Sequence, residues 1–321
     1  MSAVFVTGGA GFIGKQLVLD LMAAGHVVTA LEHRSPVQVR GATAVAGDIS
    51  ELSPLLPALR AAEHVVHSAA LLDPVDNAAA ADRINHRATV ELARAAAAQG
   101  VRTFVFLSSI SAIGFQARAG LVREDVACAP TTFYGRAKRD AEIALQAEDL
   151  GTMRLVIVRP PTVYGPDERR NFLSLARAVA RGRVFIPGDG ANRMSFCHVE
   201  NLSRATLGLI DARRASGIVH VADATPVTFR QVIDALRAAL GKRGLLPRVP
   251  LALARALAWG MQTSLGPGAP LTLRRLRTLT ADFALDTRRL AGFGVTAPIS
   301  FQAGVQETVD AYRAAGVLAR A

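Results

Sequence analysis

The sequence predicts an α/β fold in which a doubly wound parallel sheet is followed by a smaller, mostly helical C-terminal region. In the first half of the chain, short apolar runs, most of them four or five residues long, alternate with amphipathic segments of helical length. Strands that are apolar on both faces are typical of parallel sheets covered by helices on both sides. Half of the 321 residues are hydrophobic, so the chain can bury a large core. These observations exclude a disordered chain and favour βαβ units.

The predicted elements follow one another regularly from the N-terminus. The predicted strands are the apolar runs 4–6, 26–31, 42–46, 64–67, 103–107 and 155–158. The predicted helices are the segments 15–24, 79–99 and 132–149, with one more between the third and fourth strands. A later apolar helix at 249–261 is entered through Pro250 and is too short to cross a bilayer. It could lie on a membrane, cap an apolar pocket or belong to a core.

Charge and cysteine content limit the expected partners. The formal net charge is +11, but the arginines are spread along the chain without a run of like charges. We therefore expect solvated arginines and no nucleic-acid partner, with some attraction for anionic ligands. The two cysteines, Cys128 and Cys197, imply neither a disulfide framework nor a metal site, and no histidine–acid spacing indicates a metal. Residues 2–7 resemble a strand and not a signal peptide, so we expect a cytoplasmic protein without an integral membrane segment.

Three glycines, Gly8, Gly11 and Gly14, lie between the first strand and its helix, with Phe12 and Ile13 among them. Backbone N–H groups at the N-terminus of a helix bind a diphosphate, and glycines let the diphosphate approach closely. Placed after a first strand and before a helix, this spacing predicts a dinucleotide site.

Glu32 ends the second strand, eighteen residues after Gly14. A carboxylate at this place can accept hydrogen bonds from both hydroxyls of the adenosine ribose and would repel a 2′-phosphate, which favours NAD. Arg34 could pair with a 2′-phosphate, so NADP remains an alternative.

Two further strand ends carry candidate cofactor contacts. Asp48, followed by Ile49, could hold the adenine amino group, and its alternative role is to cap a helix. Ala69 and Ala70 follow the fourth strand and are small enough to let the cofactor pass. His67, just before them, is expected to be a core histidine whose hydrogen bonds are satisfied.

Tyr134 and Lys138 are four residues apart in a chain with three tyrosines and three lysines. On a helix, this spacing places both side chains on one side, with Cβ atoms roughly 5–6 Å apart. An ammonium beside a phenol favours the phenolate and lowers a pKa that is otherwise about 10. The pair could therefore exchange a proton near neutral pH, although a surface tyrosine stacked on a lysine stem is the plainer interpretation.

These motifs together resemble the extended short-chain dehydrogenase/reductase family, with its nucleotide-sugar epimerases and dehydratases and its 3β-hydroxysteroid dehydrogenases. The resemblance covers essentially the whole chain. It rests on T-G-G-A-G-F-I-G at 7–14, the acid at Glu32, G-D-I at 47–49, H-S-A-A at 67–70, Asn85, L-S-S-I-S-A-I-G at 107–114, Y-G-R-A-K at 134–138, R-P-P-T-V-Y-G-P at 159–166 and S-F-C-H-V-E-N-L at 195–202.

The resemblance implies a catalytic trio. Tyr134 would be the acid/base, and Lys138 would lower its pKa and hold the nicotinamide ribose. Family spacing selects Ser109 as the third member from the candidates Ser108, Ser109 and Ser111. Asn85 would order the site, and Pro161 would lie beside the cofactor. The resemblance also implies a homodimer formed through the helices at 79–99 and 132–149.

The resemblance further implies a Rossmann-type sheet for residues 1–166, to which 195–212 returns, and a substrate-binding region for 167–321. Nucleotide-sugar members usually carry an asparagine where this chain has Thr162 and often an arginine where it has Met194, with Arg193 one position away. With Ser111, these residues are our candidate substrate contacts. The departures favour hydride transfer between NAD(P) and a fairly apolar secondary alcohol or ketone. The alternative is a nucleotide-sugar 4-epimerase or dehydratase that uses tightly bound NAD.

Overall fold

The computed structural model describes residues 1–72, 77–114, 120–269 and 271–318. Its strands, in chain order, are β1 (Ala3–Thr7), β2 (Val27–Glu32), β3 (Thr43–Ala46), β4 (His64–His67), β5 (Thr103–Leu107), β6 (Leu121–Val122), β7 (Arg154–Arg159), β8 (Thr162–Tyr164), β9 (Ile186–Pro187), β10 (Arg193–Met194), β11 (Phe196–His198), β12 (Gly217–His220), β13 (Val227–Thr228), β14 (Arg248–Val249) and β15 (Ala284–Leu285). Its α-helices are α1 (Phe12–Ala23), α2 (Leu56–Ala61), α3 (Ala78–Asp82), α4 (Ala88–Ala98), α5 (Phe133–Ala147), α6 (Asn171–Ala180), α7 (Val199–Asp211), α8 (Phe229–Ala239), α9 (Leu251–Leu265), α10 (Leu273–Thr280), α11 (Arg288–Gly292) and α12 (Phe301–Ala314).

Seven strands form one sheet in the order β12-β7-β5-β4-β1-β2-β3, and every neighbouring pair is parallel. The predicted Rossmann-type α/β fold is therefore confirmed. All six predicted strands belong to this sheet. The seventh, β12, was not expected, because its four residues lie far along the chain in the region assigned to substrate binding.

Alternate residues of the interior strand β1 pack into two different cores, as the period of a strand requires. Val4 and Val6 of β1 lie in a cluster with α1 and α7, whereas Phe5 lies in a cluster with residues of α2, α4 and α5. The segment around α7 thus packs against the sheet. The division of the chain at residue 166 stays a prediction, and β12 lies beyond it although it belongs to the central sheet.

The predicted helix at 79–99 is present but contains an irregularity. Residues 83–87 form a wider, π-helical turn between α3 and α4, and Asn85 is buried within it. Such turns are frequent at functional sites because the extra residue redirects a side chain.

The C-terminal region is built differently from the sheet. Apart from β12, its strands are two or three residues long and pair two by two, as in β10 with β13, while β11 pairs with β8. An aromatic cluster that includes Tyr164, Phe172, Phe196 and Phe301 joins these strands to α6, α8 and α12. Within the described ranges, no helix has the length and apolar character needed to cross a bilayer.

Candidate active site

Four neighbouring parallel strands end along one edge of the sheet. β1 and β4 pair Thr7 with His67 at their carboxyl ends, and the chain order of the strands reverses between these two strands. Ligands of open parallel sheets bind in the crevice at such a reversal. Glu32 ends β2, Ala69 follows β4 by two residues, and Ser109 follows β5 by two residues. The structure therefore brings the predicted cofactor and catalytic residues to one edge.

The turn between β1 and α1 requires glycine at two positions. Gly8 has a φ of +73°, which favours glycine, and a Cβ on it would lie 2.7 Å from the backbone nitrogen of Ala69. A Cβ on Gly14 would lie 2.0 Å from the carbonyl oxygen of Gly8. Gly11 is under less constraint, since its Cβ would meet only that same oxygen, at 3.2 Å. The close contacts therefore hold the loop against the start of α1 and the end of β4.

Helix α1 begins at Phe12 with an N-terminus that no side chain caps. Gly11 is the N-cap residue, and the first turn contains no acidic residue. Exposed N–H groups at the positive end of a helix dipole attract a diphosphate. The loop therefore fits a dinucleotide, which Gly8, Gly11, Phe12, Ile13 and Gly14 would hold through the backbone.

The Glu32 carboxylate is fixed at the end of β2. Its Oε1 atom accepts a hydrogen bond from the N–H of Val37 at 2.7 Å, and the side chain is only partly buried. Arg34 is exposed two residues later. This arrangement fits a carboxylate that accepts hydrogen bonds from ribose hydroxyls. The exposed arginine side chain could reorient towards a 2′-phosphate.

Asp48 is held in a tight turn. Its Oδ1 atom accepts hydrogen bonds from the N–H and the hydroxyl of Ser50, both at 2.8 Å, and its Oδ2 atom lies 3.1 Å from Nε2 of His33. The backbone N–H of Ser50 is the main cause of a lowered Asp48 pKa. Ile49 is buried beside it. Asp48 thus caps a turn and not a helix, since the next helix begins at Ser53 without a side-chain cap, and contact with the adenine stays a prediction.

Asn85 acts on the backbone that follows β4. Its side-chain amide donates to the carbonyl oxygen of Leu71 at 2.9 Å and accepts from the N–H of Leu71 at 2.7 Å. These bonds hold the segment of Ala69 and Ala70, which is partly exposed at the sheet edge. Asn85 itself is fully buried, so any influence on the cofactor would pass through this segment.

His67 is a core histidine, as expected. Its Nδ1 atom lies 2.7 Å from the Thr7 hydroxyl, and its Nε2 atom lies 2.9 Å from the Thr89 hydroxyl. Burial, together with the charge of Lys138, lowers its pKa to about 3.

The side chain of Ser109 lies near that of Tyr134, and hydrogen bonding by Ser109 acts to lower the Tyr134 pKa. Ser109 precedes the 3₁₀ turn Ile110–Ala112, and its Oγ atom also accepts the N–H of Ser111 at 3.1 Å. Gly135 allows α5 to approach this turn, because a Cβ at this position would lie 2.3 Å from the carbonyl oxygen of Ser111. The glycine directly after the tyrosine is therefore required for the close approach of α5 to the turn that follows Ser109.

Lys138 lies one helical turn after Tyr134 and is buried. Its Nζ atom donates to the carbonyl oxygen of Leu107 at 2.8 Å and lies 4.5 Å from the ring centre of Phe106. Its distance from the ring centre of Tyr134 is 5.9 Å. Burial lowers the pKa of Lys138 to about 7, and the nearby Glu142 opposes this shift. The lysine can therefore change its charge near neutral pH.

The expectation that Lys138 lowers the pKa of Tyr134 is wrong for this structure. Desolvation raises the pKa of Tyr134 to about 12, and only the hydrogen bond from Ser109 acts in the opposite direction. The physical reason is that the ammonium is directed at Leu107 and is itself destabilised by burial. The expected lowering of the Tyr134 pKa would therefore require a positive charge on a bound ligand.

A buried polar cluster beneath the trio was not anticipated from the sequence. Glu142 lies one turn beyond Lys138 and is fully buried. It accepts a hydrogen bond from Ser108 at 2.6 Å and two from Arg159, at 2.8 and 2.6 Å. Because Ser108 precedes Ser109, the cluster anchors the end of β5 to α5. The spacing of Tyr134, Lys138 and Glu142 at intervals of four residues could have revealed it.

The candidate substrate residues near the trio occupy different environments. Ser111 is partly exposed within the 3₁₀ turn, Pro161 is buried, and Thr162 is exposed at the start of β8. The N–H of Ile110 donates to the carbonyl oxygen of Pro160 at 3.0 Å. This bond ties the catalytic turn to the segment that carries Pro161 and Thr162.

Arg193 and Met194 form β10 in the C-terminal region. Arg193 is exposed, whereas Met194 is partly buried and bridges in parallel to Phe283. Phe283 lies in an apolar cluster with Ile110, Ile113 and Ala222. Met194 is thus connected by a backbone bridge to Phe283, whose cluster contains Ile110 of the catalytic turn, and the sequence did not reveal this connection.

Comparisons with known proteins agree with this geometry. Residues 4–222 match the NAD dependent epimerase/dehydratase family. The chain is 31% identical over 251 residues to UDP-glucose 4-epimerase from Vibrio cholerae, covering 75% of this chain and 76% of that protein. It is 29% identical over 326 residues to a ceramide reductase from Caulobacter vibrioides, covering 98% of this chain and 96% of that protein.

The fold is also similar to that of a solved structure, MoeE5 in complex with UDP-glucuronic acid and NAD. The TM-score is 0.76 and the sequence identity is 28%, with 98% of this chain and 99% of that chain covered. The sheet order, the uncapped glycine loop and the serine–tyrosine–lysine arrangement are those expected of such an enzyme. The chain belongs to the NAD dependent epimerase/dehydratase family and is an enzyme of the extended short-chain dehydrogenase/reductase type.

Proposed function

We propose that the protein transfers a hydride between NAD and a secondary alcohol or ketone of fairly apolar character. The observation that carries this proposal is the placement of Ser109 and Tyr134 at the carboxyl end of β5, with buried Lys138 one turn away and bonded to the carbonyl oxygen of Leu107. NAD supplies the hydride chemistry, and the protein supplies orientation and proton transfer.

Each member of the trio has a separate task. Ser109 donates a hydrogen bond that stabilises negative charge on the tyrosine oxygen or on the reacting oxygen. Tyr134 gives its phenolic proton to the substrate oxygen during reduction and takes it back during oxidation. Lys138 has a pKa of about 7, so a ribose that accepts its hydrogen bonds would favour its charged form and thereby ease formation of the phenolate.

The apolar character of the substrate is supported by the side chains behind the catalytic turn. Ile110, Ala222 and Phe283 belong to one buried cluster, which begins at the residue after Ser109, and the backbone of Met194 bridges to Phe283. A pocket lined in this way stabilises an apolar ligand through burial of its surface. Arg193, the neighbour of Met194 in β10, is exposed.

The choice between NAD and NADP depends on Glu32 and Arg34. The carboxylate at the end of β2 would repel a 2′-phosphate, so we propose NAD as the preferred cofactor. Because Arg34 is exposed and could pair with a 2′-phosphate, weaker binding of NADP is also expected, and titration with NADP measures it.

We further propose a cytoplasmic homodimer. Both cysteines are free in the structure, and Cys197 is buried, which agrees with a reducing compartment. The dimer would form through α4 and α5, where Ile143 exposes 52% of its surface. Light scattering of the wild type and of Ile143→Glu tests this contact, and a wild-type monomer would contradict it.

A substrate panel tests the function. Medium-chain ketones and cyclic ketones are offered with reduced NAD, and UDP-glucose is offered with NAD, while reduced nicotinamide is followed by absorbance. We expect net oxidation of reduced NAD with at least one ketone and no conversion of UDP-glucose. Turnover of the nucleotide sugar without net redox change would replace this proposal by its alternative.

That alternative is a nucleotide-sugar 4-epimerase that reduces and reoxidises NAD within one turnover. It is favoured by the 31% identity to the Vibrio cholerae epimerase. An epimerase must retain its cofactor between half-reactions, so NAD that stays bound through purification would favour it, as judged by mass spectrometry of the protein.

A further inference from the structure

Helix α9 is apolar and yet exposed. Its 15 residues carry one charged side chain, that of Arg255. A helix that is apolar on all sides is normally buried in a core or in a membrane. Only Ala254 and Ala258 of α9 are buried, however, and its large side chains are exposed by 52% at Leu253, 45% at Leu257, 63% at Trp259, 38% at Met261 and 63% at Leu265.

The protein covers only a narrow strip of this helix. Ala254 and Ala258 pack against Leu276 of α10 in a small cluster that is separate from the main cores. Leu253, Leu257, Met261 and Leu265 follow one another at intervals of four residues, which places them along one side of the helix. Among the described residues, these four side chains belong to none of the core clusters. The outer surface of α9 is therefore available to a partner.

The chain segment that contains α9 carries charges of one sign. Residues 235–281 contain eight arginine or lysine side chains and no aspartate or glutamate. Arg243, Arg248 and Arg274 are exposed and form no ion pair with any residue that the structure describes. An exposed apolar helix flanked by cations is complementary to a surface with anionic groups on the outside and an apolar layer beneath them.

We propose that α9 and the surrounding basic residues form a docking surface for an anionic lipid bilayer, with α9 lying in the plane of the interface. The apolar side chains would enter the boundary between headgroups and acyl chains, and the arginines would contact the headgroup phosphates. A second copy of this chain is a poorer occupant, because two such surfaces would repel each other. A nucleic acid is also poorer, because it offers no apolar layer for leucine and methionine. The inference stands apart from the proposed function, since it concerns where the enzyme lies and not what it transforms.

The chain provides its own probe, because Trp259 is its single tryptophan. Its fluorescence is recorded on the full chain with vesicles of phosphatidylcholine and phosphatidylglycerol, and with vesicles of phosphatidylcholine alone. We expect a blue shift and protection from acrylamide with the anionic vesicles, reduced by high salt because ions screen headgroup attraction. We expect only a weak shift with the neutral vesicles.

Two double variants separate the apolar and the charged contributions while keeping Trp259. Leu257→Gln with Met261→Gln removes two exposed apolar side chains, and Arg274→Glu with Arg248→Glu reverses two charges. Each should weaken co-sedimentation with anionic vesicles by about tenfold or more, since each buried side chain or nearby cation contributes substantially to such binding. Leu19→Gln with Val27→Gln is the matched control, because these side chains are also exposed, by 42% and 57%, but belong to α1 and β2.

The control variant should bind vesicles as the wild type does. An unshifted Trp259 spectrum with anionic vesicles would overturn the proposal. A blue shift that grows with protein concentration in the absence of vesicles, accompanied by a dimer that Leu257→Gln with Met261→Gln abolishes, would assign the surface to a second copy instead. Vesicle binding is measured without turnover, so a protein that does not bind vesicles could still catalyse the proposed reaction. A protein without that activity could likewise still bind vesicles.

Discussion

The sheet edge and helix α9 use apolar and small residues in opposite ways. At the sheet edge, Gly8, Gly14 and Gly135 allow close backbone contacts that a side chain would prevent. Lys138 is buried there, and desolvation of its ammonium lowers its pKa. Around α9, small buried alanines hold the helix by a narrow strip, while leucines and a tryptophan remain outside. Close main-chain contacts determine the geometry of the first region, and side-chain packing determines that of the second. Substitutions should therefore act sharply in the first region and gradually in the second.

The largest expected effect is that of Tyr134→Phe, which removes the proposed proton donor. We expect kcat to fall by about 10²–10⁴, the range typical of a lost general acid, while NAD binding measured by calorimetry stays within about twofold. Tyr312→Phe is the matched control, since it removes another buried phenol, whose hydroxyl lies 3.3 Å from Glu168. If Tyr134→Phe kept full activity, the sheet edge would be a binding site without catalysis.

Gly14→Ala and Gly260→Ala compare the two regions directly. A Cβ at position 14 would lie 2.0 Å from the carbonyl oxygen of Gly8, whereas a Cβ at position 260 on α9 would meet nothing within 4 Å. We expect Gly14→Ala to weaken NAD binding by about 100-fold or more, because displacing the loop loses several charge-assisted hydrogen bonds.

Gly260→Ala should instead stabilise the protein slightly, by up to about 1 kcal/mol, because alanine favours a helix. Calorimetric titration with NAD and urea unfolding measure the two effects. Equal behaviour of the two variants would refute the contrast between main-chain and side-chain control.

Glu32→Gln tests the selection of the cofactor. The carboxylate is expected to receive the ribose hydroxyls, and a hydrogen bond to a charged group contributes about 1.5–3 kcal/mol. We therefore expect NAD affinity to fall by about tenfold or more and the preference over NADP to shrink. Glu91→Gln on the exposed face of α4 should change neither, and an unchanged NAD/NADP ratio in Glu32→Gln would remove Glu32 from the site.

The smallest effect concerns stability and pH. The pKa of Lys138 is about 7 in the folded protein and 10.5 ordinarily, so the unfolded chain holds more protons between these values and stability rises there with pH. Lys138→Met should therefore stabilise the protein most below pH 7, by about 1–2 kcal/mol, and progressively less at higher pH.

Urea unfolding at pH 6 and pH 10 measures this dependence, with exposed Lys242→Met as the control. A Lys138→Met protein that is less stable than the wild type at pH 6 would show that the buried ammonium stabilises the fold, contrary to the desolvation that lowers its pKa.

The sequence predicted the sheet edge better than the C-terminal region for a physical reason. The glycine spacing, Glu32 and the pair Tyr134 and Lys138 act locally or follow strand ends, so their positions can be inferred from the order of elements. Strand β12 and the link from Met194 through Phe283 to Ile110 depend on contacts between distant segments. The sequence also suggested a lowered Tyr134 pKa, which was wrong because neither the desolvation of Tyr134 nor the burial of Lys138 could be inferred from spacing.

The helix α9 shows the same limit. Its apolar composition suggested a core element, a pocket cap or a membrane contact with equal force. Only the structure shows that Leu257 and Trp259 are exposed. The absence of acids from 235 to 281 was visible in the sequence and would have favoured the membrane interpretation.

The central claim is that the sheet edge moves a hydride from NAD to a substrate carbonyl with Tyr134 as the proton donor. Reduced NAD deuterated at the nicotinamide C4 position is supplied with a ketone that the panel identifies, and the product alcohol is analysed by mass spectrometry and NMR. We predict deuterium on the carbinol carbon of the product with the wild type, and loss of this transfer in Tyr134→Phe while NAD remains bound. A product that carries no deuterium from either labelled face, or undiminished transfer in Tyr134→Phe, would contradict the account.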